Sequence, residues 1–407
     1  MADNGRVEPT PARDVVILGS TGSIGTQALD IAARNPGRFR VAALAAGGGN
    51  PGLLARQAAE FGVPVVAVAD PDAVPAVLAA CEEEFSRTDR GDSREHRVPE
   101  VLAGADAVCQ LATWPCDVVL NGVTGAAGLR ATLAALDAGR TLALANKESL
   151  IIGGPLVTSR AKRGQIVPVD SEHSTIAQCL RAGRDSEVRR LILTASGGPF
   201  RGWAKDKLAG VTPQQALAHP TWSMGPLVTV NSATLVNKGL EVIEAEALFG
   251  FGLDRIDVVV HPQSIVHSMV EFADGATIIQ ASPPDMRIPI ALGMAWPERV
   301  AGAAPGLDWT SAASWTFEPL DEQAFPAVAL AREAARLGGT APAVYNGANE
   351  ACVADFLAGR ISFPRIVDTV ARIVSEHEGT SPTGVTTLDD VLGVDAWARA
   401  RARELNR

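Results

Sequence analysis

The sequence predicts an α/β protein with an N-terminal doubly wound, Rossmann-like domain, a central α+β domain and a C-terminal helical bundle. Three observations lead to this prediction. Apolar runs alternate with alanine-rich helical stretches in the first half, strand-like runs dominate after residue 189, and apolar residues recur every three or four positions from residue 321 onward. The length of 407 residues, about two to three times that of a usual domain, agrees with several domains in one chain.

The apolar runs of the first half indicate parallel strands buried on both faces, since they lack the alternation of a half-exposed strand. They are DVVILG (14–19), FRVAALAAG (39–47), VPVVAVAD (63–70), CDVVLNGV (116–123), TLALANK (141–147) and QIVPVD (165–170). We place the N-terminal domain at residues 14–168, after a flexible polar tail at residues 1–13. Ten of the sixteen residues 82–97 are Asp, Glu or Arg, which predicts an exposed loop or helix extension.

The central domain is predicted at residues 169–294, with a mixed sheet and fewer helices. Its strand-like runs are LILTASGG (191–198), GPLVTVN (225–231), DVVVHPQSIVHSMVEF (257–272) and ATIIQAS (276–282). Asp274 and Gly275 fit a hairpin turn between the last two runs. A linker rich in Pro, Ala, Gly and Trp follows at residues 295–320, and a helical domain is predicted at residues 321–407.

Charge and composition exclude several classes of function. The chain has 36 basic and 46 acidic side chains, a formal charge of −10 and no Lys/Arg block, so a nucleic-acid partner is not expected. No apolar stretch is long enough for a transmembrane helix, and the start has no signal-peptide pattern. The five scattered cysteines contain no CxxC pair, which predicts free thiols in a cytoplasmic protein.

A glycine-rich turn is the first motif with a chemical meaning. GSTGSIG (19–25) follows a predicted strand and opens a predicted helix, as a dinucleotide-binding turn does. Its glycines let the backbone approach a pyrophosphate, and the helix N-terminus offers free N–H groups. The spacing is GxxGxxG instead of the commoner GxGxxG, and a glycine turn that only packs a helix on a strand is the alternative.

The adenosine end of the predicted cofactor favours NADP over NAD. An NAD site usually carries an acidic residue about 20 positions after the glycine turn, where it binds the ribose 2′-hydroxyl. Here no Asp or Glu occurs between Asp30 and Glu60, and the second strand ends in AAGGGN (45–50). This neutral loop with Asn50 can admit a 2′-phosphate, and Arg56 lies nearby in sequence.

Two acidic residues, Asp170 and Glu172, end a predicted strand. If the extended conformation continues, they point to one face with side-chain origins about 6.6 Å apart. Carboxylates at that distance repel each other unless a cation lies between them, and oxygen ligands suit Mg²⁺ or Mn²⁺. The alternative is a solvated acidic turn.

A second polar cluster follows in NSATLVNKGLEVIEA (231–245), where we expect a strand to pass into a helix near Ser232. On that helix Asn237, Lys238 and Glu241 share one face. Such a face suits a substrate that carries phosphate at one end and chelates a metal at the other. A surface salt-bridge face is the alternative.

Six motifs, in this order, resemble those of the 1-deoxy-D-xylulose 5-phosphate reductoisomerase family, and the similarity covers essentially the whole chain. They are GSTGSIG (19–25), LANKESL (144–150), VDSEHS (169–174), SGGPF (196–200), HPTWSMG (219–225) and NSATLVNKGLEVIEA (231–245). The resemblance implies that NADPH and one divalent cation, Mg²⁺ or Mn²⁺, convert 1-deoxy-D-xylulose 5-phosphate into 2-C-methyl-D-erythritol 4-phosphate. This is the committed step of non-mevalonate isoprenoid synthesis. It also implies a homodimer, for which the apolar strands between residues 256 and 281 are a plausible interface.

The resemblance also assigns roles to residues. The metal ligands are Asp170, Glu172 and Glu241, which with Lys147 form the expected catalytic set. The phosphate is expected at Ser196, Ser232, Asn237 and Lys238, with Ser171 and His219 also touching substrate and with Trp222 and Met224 on a closing loop. The NADPH contacts are expected at Thr21, Gly22, Ser23 and Ile24 (phosphates), Gly48, Gly49 and Asn50 (adenosine), Asn146, Lys147 and Glu148 (nicotinamide half), and Gly225.

Two departures from the family pattern lie outside these residues. Residues 82–97 resemble an insertion, and the GGGN loop lacks a basic residue that some relatives have, a difference that bears on the selectivity for NADP over NAD. Trp222 and Met224 are either lid or core. Lys147 either binds the nicotinamide ribose or the substrate, which its place at a strand end favours, or pairs with Glu148 or another acid on the surface. We expect His173 to be structural and assign His261 and His267 no catalytic role.

Two other functions remain open from the sequence. One is a plain NADP-linked dehydrogenase of a phosphorylated substrate, which would not need three carboxylates and would keep its turnover in a chelator. The other is a non-catalytic dinucleotide sensor, whose NADPH binding would be unaffected by Asp170→Asn.

Overall fold

The computed structural model describes residues 11–88, 97–222, 224–377 and 386–407. Most of the predicted tail therefore lies outside the described residues, and the chain enters its first strand at Arg13. The charged stretch predicted as exposed is described up to Thr88, where it forms the end of a helix that starts at Val74. Residues 89–96 of that stretch lie outside the described ranges, and its last residue, Arg97, is described and exposed.

The first sheet has seven strands, all parallel, in the order β4-β3-β2-β1-β5-β6-β7. The strands are β1 Arg13–Leu18, β2 Phe39–Ala46, β3 Val65–Val68, β4 Glu100–Ala103, β5 Val118–Asn121, β6 Thr141–Leu144 and β7 Ile166–Pro168. The predicted doubly wound sheet is confirmed. The sequence missed β4, whose four residues EVLA are half-buried or exposed and pair with β3 at the sheet edge.

Helices cover both faces of this sheet, which explains why its strands are apolar throughout. The helices are α1 Ser23–Arg34, α2 Pro51–Phe61, α3 Val74–Thr88, α4 Ala105–Ala112, α5 Gly128–Asp137 and α6 Lys147–Arg160. Val16 and Leu18 of β1 belong to one hydrophobic core, and Val15 and Ile17 point into the other. Successive side chains of a strand point to opposite faces, so a strand between two cores needs apolar residues at every position.

The second sheet is mixed and has the order β11-β10-β8-β9-β12. Its strands are β8 Val188–Ala195, β9 Ile256–Val260, β10 Val266–Phe272, β11 Thr277–Ala281 and β12 Glu318–Pro319. The predicted hairpin at Asp274 and Gly275 is confirmed, because β10 and β11 pair in antiparallel fashion on either side of it. The helices of this region are α7 Ser171–Cys179, α8 Lys205–Leu208, α9 Pro213–Ala216, α10 Pro226–Ala233, α11 Val236–Phe249 and α12 Arg287–Ala295.

The run GPLVTVN, predicted as a strand, is helical, so the strand-to-helix transition expected near Ser232 is also wrong. Residues Pro226–Ala233 form α10, and Leu235 turns the chain into α11 with a left-handed φ of 60°. Proline at the first position favours the helix start. The helix buries Val230 and Ala233, and this packing outweighs the strand propensity of the two valines and the threonine.

The segment after the second sheet returns to the first one. Helix α12, which the sequence did not predict, places Ile290 and Met294 in the same core as Val15 and Ile17. The predicted linker at residues 295–320 is mostly irregular and ends in β12, and Arg13 donates to the carbonyl of Trp296 at 2.9 Å.

The C-terminal helices predicted from their apolar spacing are confirmed. They are α13 Ala327–Leu337, α14 Ala341–Leu357, α15 Phe363–His377 and α16 Leu388–Leu405. Helix α14 is buried along most of its length, and Tyr345 donates from its wholly buried hydroxyl to the carbonyl of Ala327 at 3.1 Å. Among the helices described here, none has the length and apolar character needed to cross a membrane.

Candidate active site

A cavity of about 850 Å³ lies where the carboxyl edge of the parallel sheet faces the turn between α10 and α11. Its wall includes the glycine turn at Gly22, the start of α6 at Lys147, the start of α7 at Glu172 and the α11 residue Glu241. In open parallel sheets, ligands bind outside the carboxyl ends of the strands, where the strand order reverses. Strand β1 lies between β2 and β5 at that point of reversal.

The glycine turn has the geometry of a dinucleotide phosphate site. Gly19 adopts a φ of +86°, and a β-carbon there would lie 2.8 Å from the carbonyl oxygen of Gly122. Gly22 is the N-cap of α1 and contributes no capping side chain, so the first N–H groups of the helix remain free for an anion. Gly22, Ser23 and Ile24 line the cavity, whereas Thr21 does not.

The predicted adenosine loop leaves β2 at the same sheet edge but does not line the cavity. It contains Gly48, Gly49 and Asn50, and the Asn50 side chain caps α2 by accepting from the Leu53 amide at 3.1 Å. Helix α2 is tied to the glycine turn by Gln57, which donates to the carbonyl of Ser20 at 3.0 Å.

Residues Asn146, Lys147 and Glu148 all line the cavity. Asn146 caps α6 and is buried, with its oxygen accepting from the Ser149 amide at 3.0 Å and its nitrogen donating to the Val123 carbonyl at 2.6 Å. The Asn146 side chain therefore joins the start of α6 to the main chain at Val123 and in this way positions the residues around it. Burial raises the pKa of Glu148 to about 7.

Three carboxylates from two helices converge in the cavity. Asp170 is the N-cap of α7, Glu172 lies in the first turn of α7, and Glu241 comes from α11. Each offers an oxygen within 4.8 Å of the others. The extended conformation expected for residues 170–172 is wrong, because the strand ends at Pro168 and the helix begins at Ser171. Asp170 and Glu172 come close to each other because both lie at the N-terminus of α7.

Two lysines, the half-buried Lys147 and the buried Lys238, neutralise part of this negative charge. Lys147 pairs with Asp170 and lies 3.2 Å from Glu241, while Lys238 lies 2.9 Å from Glu172 and also pairs with Glu241. Burial alone would lower the pKa of both lysines, but the adjacent carboxylates outweigh it and raise both pKa values. Both side chains are therefore cations at neutral pH. The alternative interpretation of Lys147, pairing with Glu148 or another surface acid, is not what the structure shows, because its partners Asp170 and Glu241 line the cavity.

The ionisation of the carboxyls follows from the same contacts. Burial would raise the pKa of Asp170, but the charge of Lys147 lowers it well below its usual range. The pKa of Glu172 is raised by burial and then by the charge of Glu241. Repulsion of this kind is what a divalent cation offsets, and three oxygen ligands with open positions suit Mg²⁺ or Mn²⁺. The donor set therefore fits the predicted metal.

A second set of possible ligands, Asp170, His173 and Glu244, lies behind the first. His173 is fully buried, with Nε2 lying 2.9 Å from the carbonyl oxygen of Glu241 and Nδ1 lying 3.2 Å from Glu244. Burial would lower the pKa of His173, but Glu244 raises it to about 9. Neither His173 nor Glu244 lines the cavity, so His173 holds the backbone of α11, in agreement with the structural role expected for it.

The residues expected to hold phosphate form two neighbouring groups. His219 Nε2 lies 3.1 Å from the hydroxyls of both Ser196 and Ser232, and its Nδ1 accepts from the Trp222 amide at 2.9 Å. Burial lowers the pKa of His219, which favours the neutral ring. Asn237 and Lys238 instead contact the carboxylate of Glu241. Ser171, the remaining expected substrate residue, donates to Glu172 at 2.6 Å.

The loop before α10 forms one wall of the cavity. Trp222 and Met224 are half-buried and line it together with Gly225, so they are not core residues. The Trp222 ring meets that of His267 with centroids 6.0 Å apart.

Several lining residues were missed from the sequence. They are Gln27, Gly122, Val123, Thr124, Asn231, Ser264, His267, Pro284, Asp285, Met286 and Arg287, among others. The segment at residues 284–287 connects β11 to α12 and reaches the cavity only because α12 packs back onto the first sheet. No spacing in the sequence signals this return.

The fold and the cavity are those of a dinucleotide-linked oxidoreductase. Three family models match consecutive parts of the chain: 1-deoxy-D-xylulose 5-phosphate reductoisomerase at residues 15–154, its C-terminal domain at 166–249, and the DXP reductoisomerase C-terminal domain at 281–401. Proteins of that name from Kitasatospora griseola and Streptomyces avermitilis are 63% and 61% identical to this chain. Each match covers 96% of this chain, and 99% and 97% of the relative.

Solved structures agree with these relatives. The reductoisomerase from Zymomonas mobilis in complex with NADPH is 40% identical, covers 97% of this chain and 99% of its own, and has a TM-score of 0.87. A reductoisomerase in complex with NADPH, fosmidomycin and magnesium is 35% identical with the same coverage and a TM-score of 0.86. The chain belongs to the 1-deoxy-D-xylulose 5-phosphate reductoisomerase family.

Proposed function

We propose that this chain converts 1-deoxy-D-xylulose 5-phosphate into 2-C-methyl-D-erythritol 4-phosphate with NADPH and one divalent cation, the committed step of non-mevalonate isoprenoid synthesis. The observation that carries the proposal is the convergence of Asp170, Glu172 and Glu241 within 4.8 Å of one another. The same cavity contains Lys147 and Lys238 and reaches the glycine turn. A reaction that rearranges a sugar phosphate and then reduces it needs these parts side by side.

In this proposal residues 14–168 bind NADPH, residues 169–294 hold metal and substrate, and residues 321–407 brace the site. The free N–H groups at the start of α1 receive the cofactor phosphates, with Thr21, Gly22, Ser23 and Ile24. Gly48, Gly49 and Asn50 lie along the adenosine, and Asn146, Lys147, Glu148 and Gly225 along the nicotinamide half. When bound there, NADPH would supply the hydride for the reduction that follows the rearrangement.

The metal would be held by Asp170, Glu172 and Glu241. A bound divalent cation supplies Lewis-acid stabilisation of negative charge on adjacent substrate oxygens and keeps the substrate in place. Lys147 and Lys238 hold the carboxylates in position and limit their mutual repulsion. Lys147 also stabilises negative charge on the reacting end of the substrate, because its ammonium group stays protonated at neutral pH.

The phosphate end of the substrate is proposed to bind Ser196, Ser232, Asn237 and Lys238, with Ser171 and His219 nearby. His219 holds both hydroxyls in place through its Nε2, and Trp222 and Met224 cover the substrate and exclude water. Binding energy from the unreactive phosphate can thereby orient the reacting carbons.

The deciding experiment follows NADPH absorbance with 1-deoxy-D-xylulose 5-phosphate, with and without Mg²⁺ or Mn²⁺. We expect oxidation that requires the cation and is lost in a chelator. Turnover that survives the chelator would favour the plain dehydrogenase, and NADPH binding without any turnover would favour the sensor. Product analysis distinguishes a rearranged from a merely reduced carbon skeleton.

We also propose that the chain forms a homodimer through the second sheet. Ile278 and Ile279 of β11 are 37% and 42% exposed, and Trp309 and Phe317 beside the sheet are 75% and 44% exposed. Strand β11 is at one edge of the second sheet and Phe317 precedes β12 at the other, so both edges carry exposed apolar groups, which are typical of an interface. Light scattering should give the mass of two chains. Ile279→Lys should yield monomers, whereas Val98→Lys, at a residue 42% exposed beside the first sheet, should leave the dimer intact.

A cytoplasmic location is proposed as well. All five cysteines lie in the described residues as free thiols, as expected in a reducing compartment.

A further inference from the structure

Helix α10 carries Ser232 near its end, α11 carries Asn237, Lys238 and Glu241, and the C-terminal bundle packs behind both helices. A β-carbon at Gly239 of α11 would lie 2.7 Å from that of Ala331 and 2.9 Å from the hydroxyl of Tyr345. Helix α11 and the C-terminal bundle therefore pack so closely at Gly239 that they leave no room for a side chain there. Most of this contact is apolar, since Val236, Leu240 and Val344 belong to one core.

One hydrogen bond crosses this apolar contact. Asn349 of α14 donates from Nδ2 to Oδ1 of Asn231 in α10 at 2.9 Å, and the two side chains are 0% and 4% exposed. The second polar atom of Asn349, Oδ1, has no hydrogen-bond partner among the described residues. Burying an amide with half of its hydrogen-bonding capacity unused is unfavourable, so fold stability alone does not explain an asparagine here.

Asn231 connects this bond to the cavity. It lines the cavity directly before Ser232, and its carbonyl oxygen accepts from the buried hydroxyl of Thr234 at 3.2 Å. The last turn of α10 is therefore held at Asn231 by two bonds, one from Asn349 to the side chain and one from Thr234 to the main chain. The hydroxyl of Ser232, which His219 contacts from the other side, depends on this turn for its place.

We propose that Asn349 is a positioning residue for the reaction: its bond to Asn231 sets the last turn of α10 and with it the phosphate end of the site. The proposal rests on the proposed function. It assigns Asn349 no contact with substrate, and it places a determinant of substrate binding in the C-terminal bundle.

A second buried bond of the bundle provides a control. Thr369 of α15 is 2% exposed and donates to Oδ1 of Asn406 at 3.3 Å, so both partners of this bond lie in the C-terminal bundle. Asn349→Ala removes the bond to Asn231, and Thr369→Ala removes the bond to Asn406. The two variants differ in whether the lost bond reaches α10.

We expect Asn349→Ala to raise KM for 1-deoxy-D-xylulose 5-phosphate about tenfold or more, with KM for NADPH within about twofold of wild type. Thr369→Ala should leave both KM values within about threefold of wild type. Adding Asn231→Ala to Asn349→Ala should cost little more, because the two residues act through one bond. Circular dichroism and the NADPH dissociation constant verify that each variant is folded.

Two results would overturn the inference. One is a folded Asn349→Ala protein with the wild-type sugar-phosphate KM, and the other is an equal rise of that KM in Asn349→Ala and Thr369→Ala. Fosmidomycin affinity with Mg²⁺ and NADPH gives a readout that does not need turnover, and it should weaken in Asn349→Ala to the same extent as KM rises. A wild-type chain that binds fosmidomycin but oxidises no NADPH would count against the proposed function and leave this comparison intact.

Discussion

The glycine turn offers a test that depends on distances alone. In Gly25→Ala, the new β-carbon would meet the carbonyl oxygen of Gly19 and would lie 2.5 Å from the Cα and 2.7 Å from the carbonyl carbon of Ser20. These are main-chain atoms, which cannot rotate away as a side chain can. Ordinary contact needs about 3.4 Å or more, so α1 or the turn must move by about 1 Å.

The size of the effect follows from this displacement. Overpacking usually costs about 1–3 kcal/mol, and obstruction by main-chain atoms favours the upper end of that range. A loss of about 3 kcal/mol corresponds to a melting temperature lower by roughly 6–12 °C in a domain of this size. The displaced turn should also bind NADPH at least about tenfold more weakly, because the N–H groups at the start of α1 lose their alignment.

Thermal unfolding followed by circular dichroism and NADPH titration by fluorescence measure the two effects. Gly393→Ala is the control, because Gly393 lies inside α16, is followed by valine, and its added β-carbon would have no heavy atom of another part of the chain within 4 Å. Alanine is the better helix former by about 1 kcal/mol, so this variant should keep or gain stability and bind NADPH normally. A Gly25→Ala protein with wild-type stability and NADPH affinity would refute the steric argument.

Three further predictions concern charge. Glu241→Gln should reduce turnover at least about a hundredfold and shift half-saturation to higher Mg²⁺, because it removes one of three charged ligands; wild-type rates would rule out this ligand. Lys238→Ala should raise KM for the sugar phosphate by about tenfold or more but leave that for NADPH within about twofold, and equal effects on both would contradict the phosphate role. Arg56→Ala should raise KM for NADPH several-fold without affecting KM for NADH. The reason is that NH1 of Arg56 lies 3.5 Å from the position of a β-carbon on Gly52, near the predicted adenosine loop. An equal rise in KM for NADH would exclude a contact between Arg56 and the 2′-phosphate.

Some features of the site could be predicted because they are local. Asn237, Lys238 and Glu241 share a helix face whatever surrounds them, since their spacing matches the helical repeat. In the structure they contact one another through the carboxylate of Glu241. The glycine turn was equally local, because a strand, a turn and a helix follow directly in the chain.

Errors arose where packing overrode local preference. The run at residues 225–231 has strand-forming residues but becomes helical because α10 buries Val230 and Ala233. Asp170 and Glu172 do meet, although the predicted extended conformation does not exist, because Asp170 caps α7. The proximity of Asp170 and Glu172 was therefore predicted correctly, although the conformation predicted for residues 170–172 was wrong.

The sequence by itself determined the parallel sheet, the helical bundle, the glycine turn and the residue types of the site, because hydrophobic period and spacing are properties of neighbouring residues. Only the tertiary structure decided that Lys147 pairs with Asp170, that His173 holds the backbone of Glu241, and that Asn349 reaches Asn231. Each of these contacts joins side chains from two separately folded elements. Their meeting depends on how whole helices pack, and no pattern within either segment contains that information.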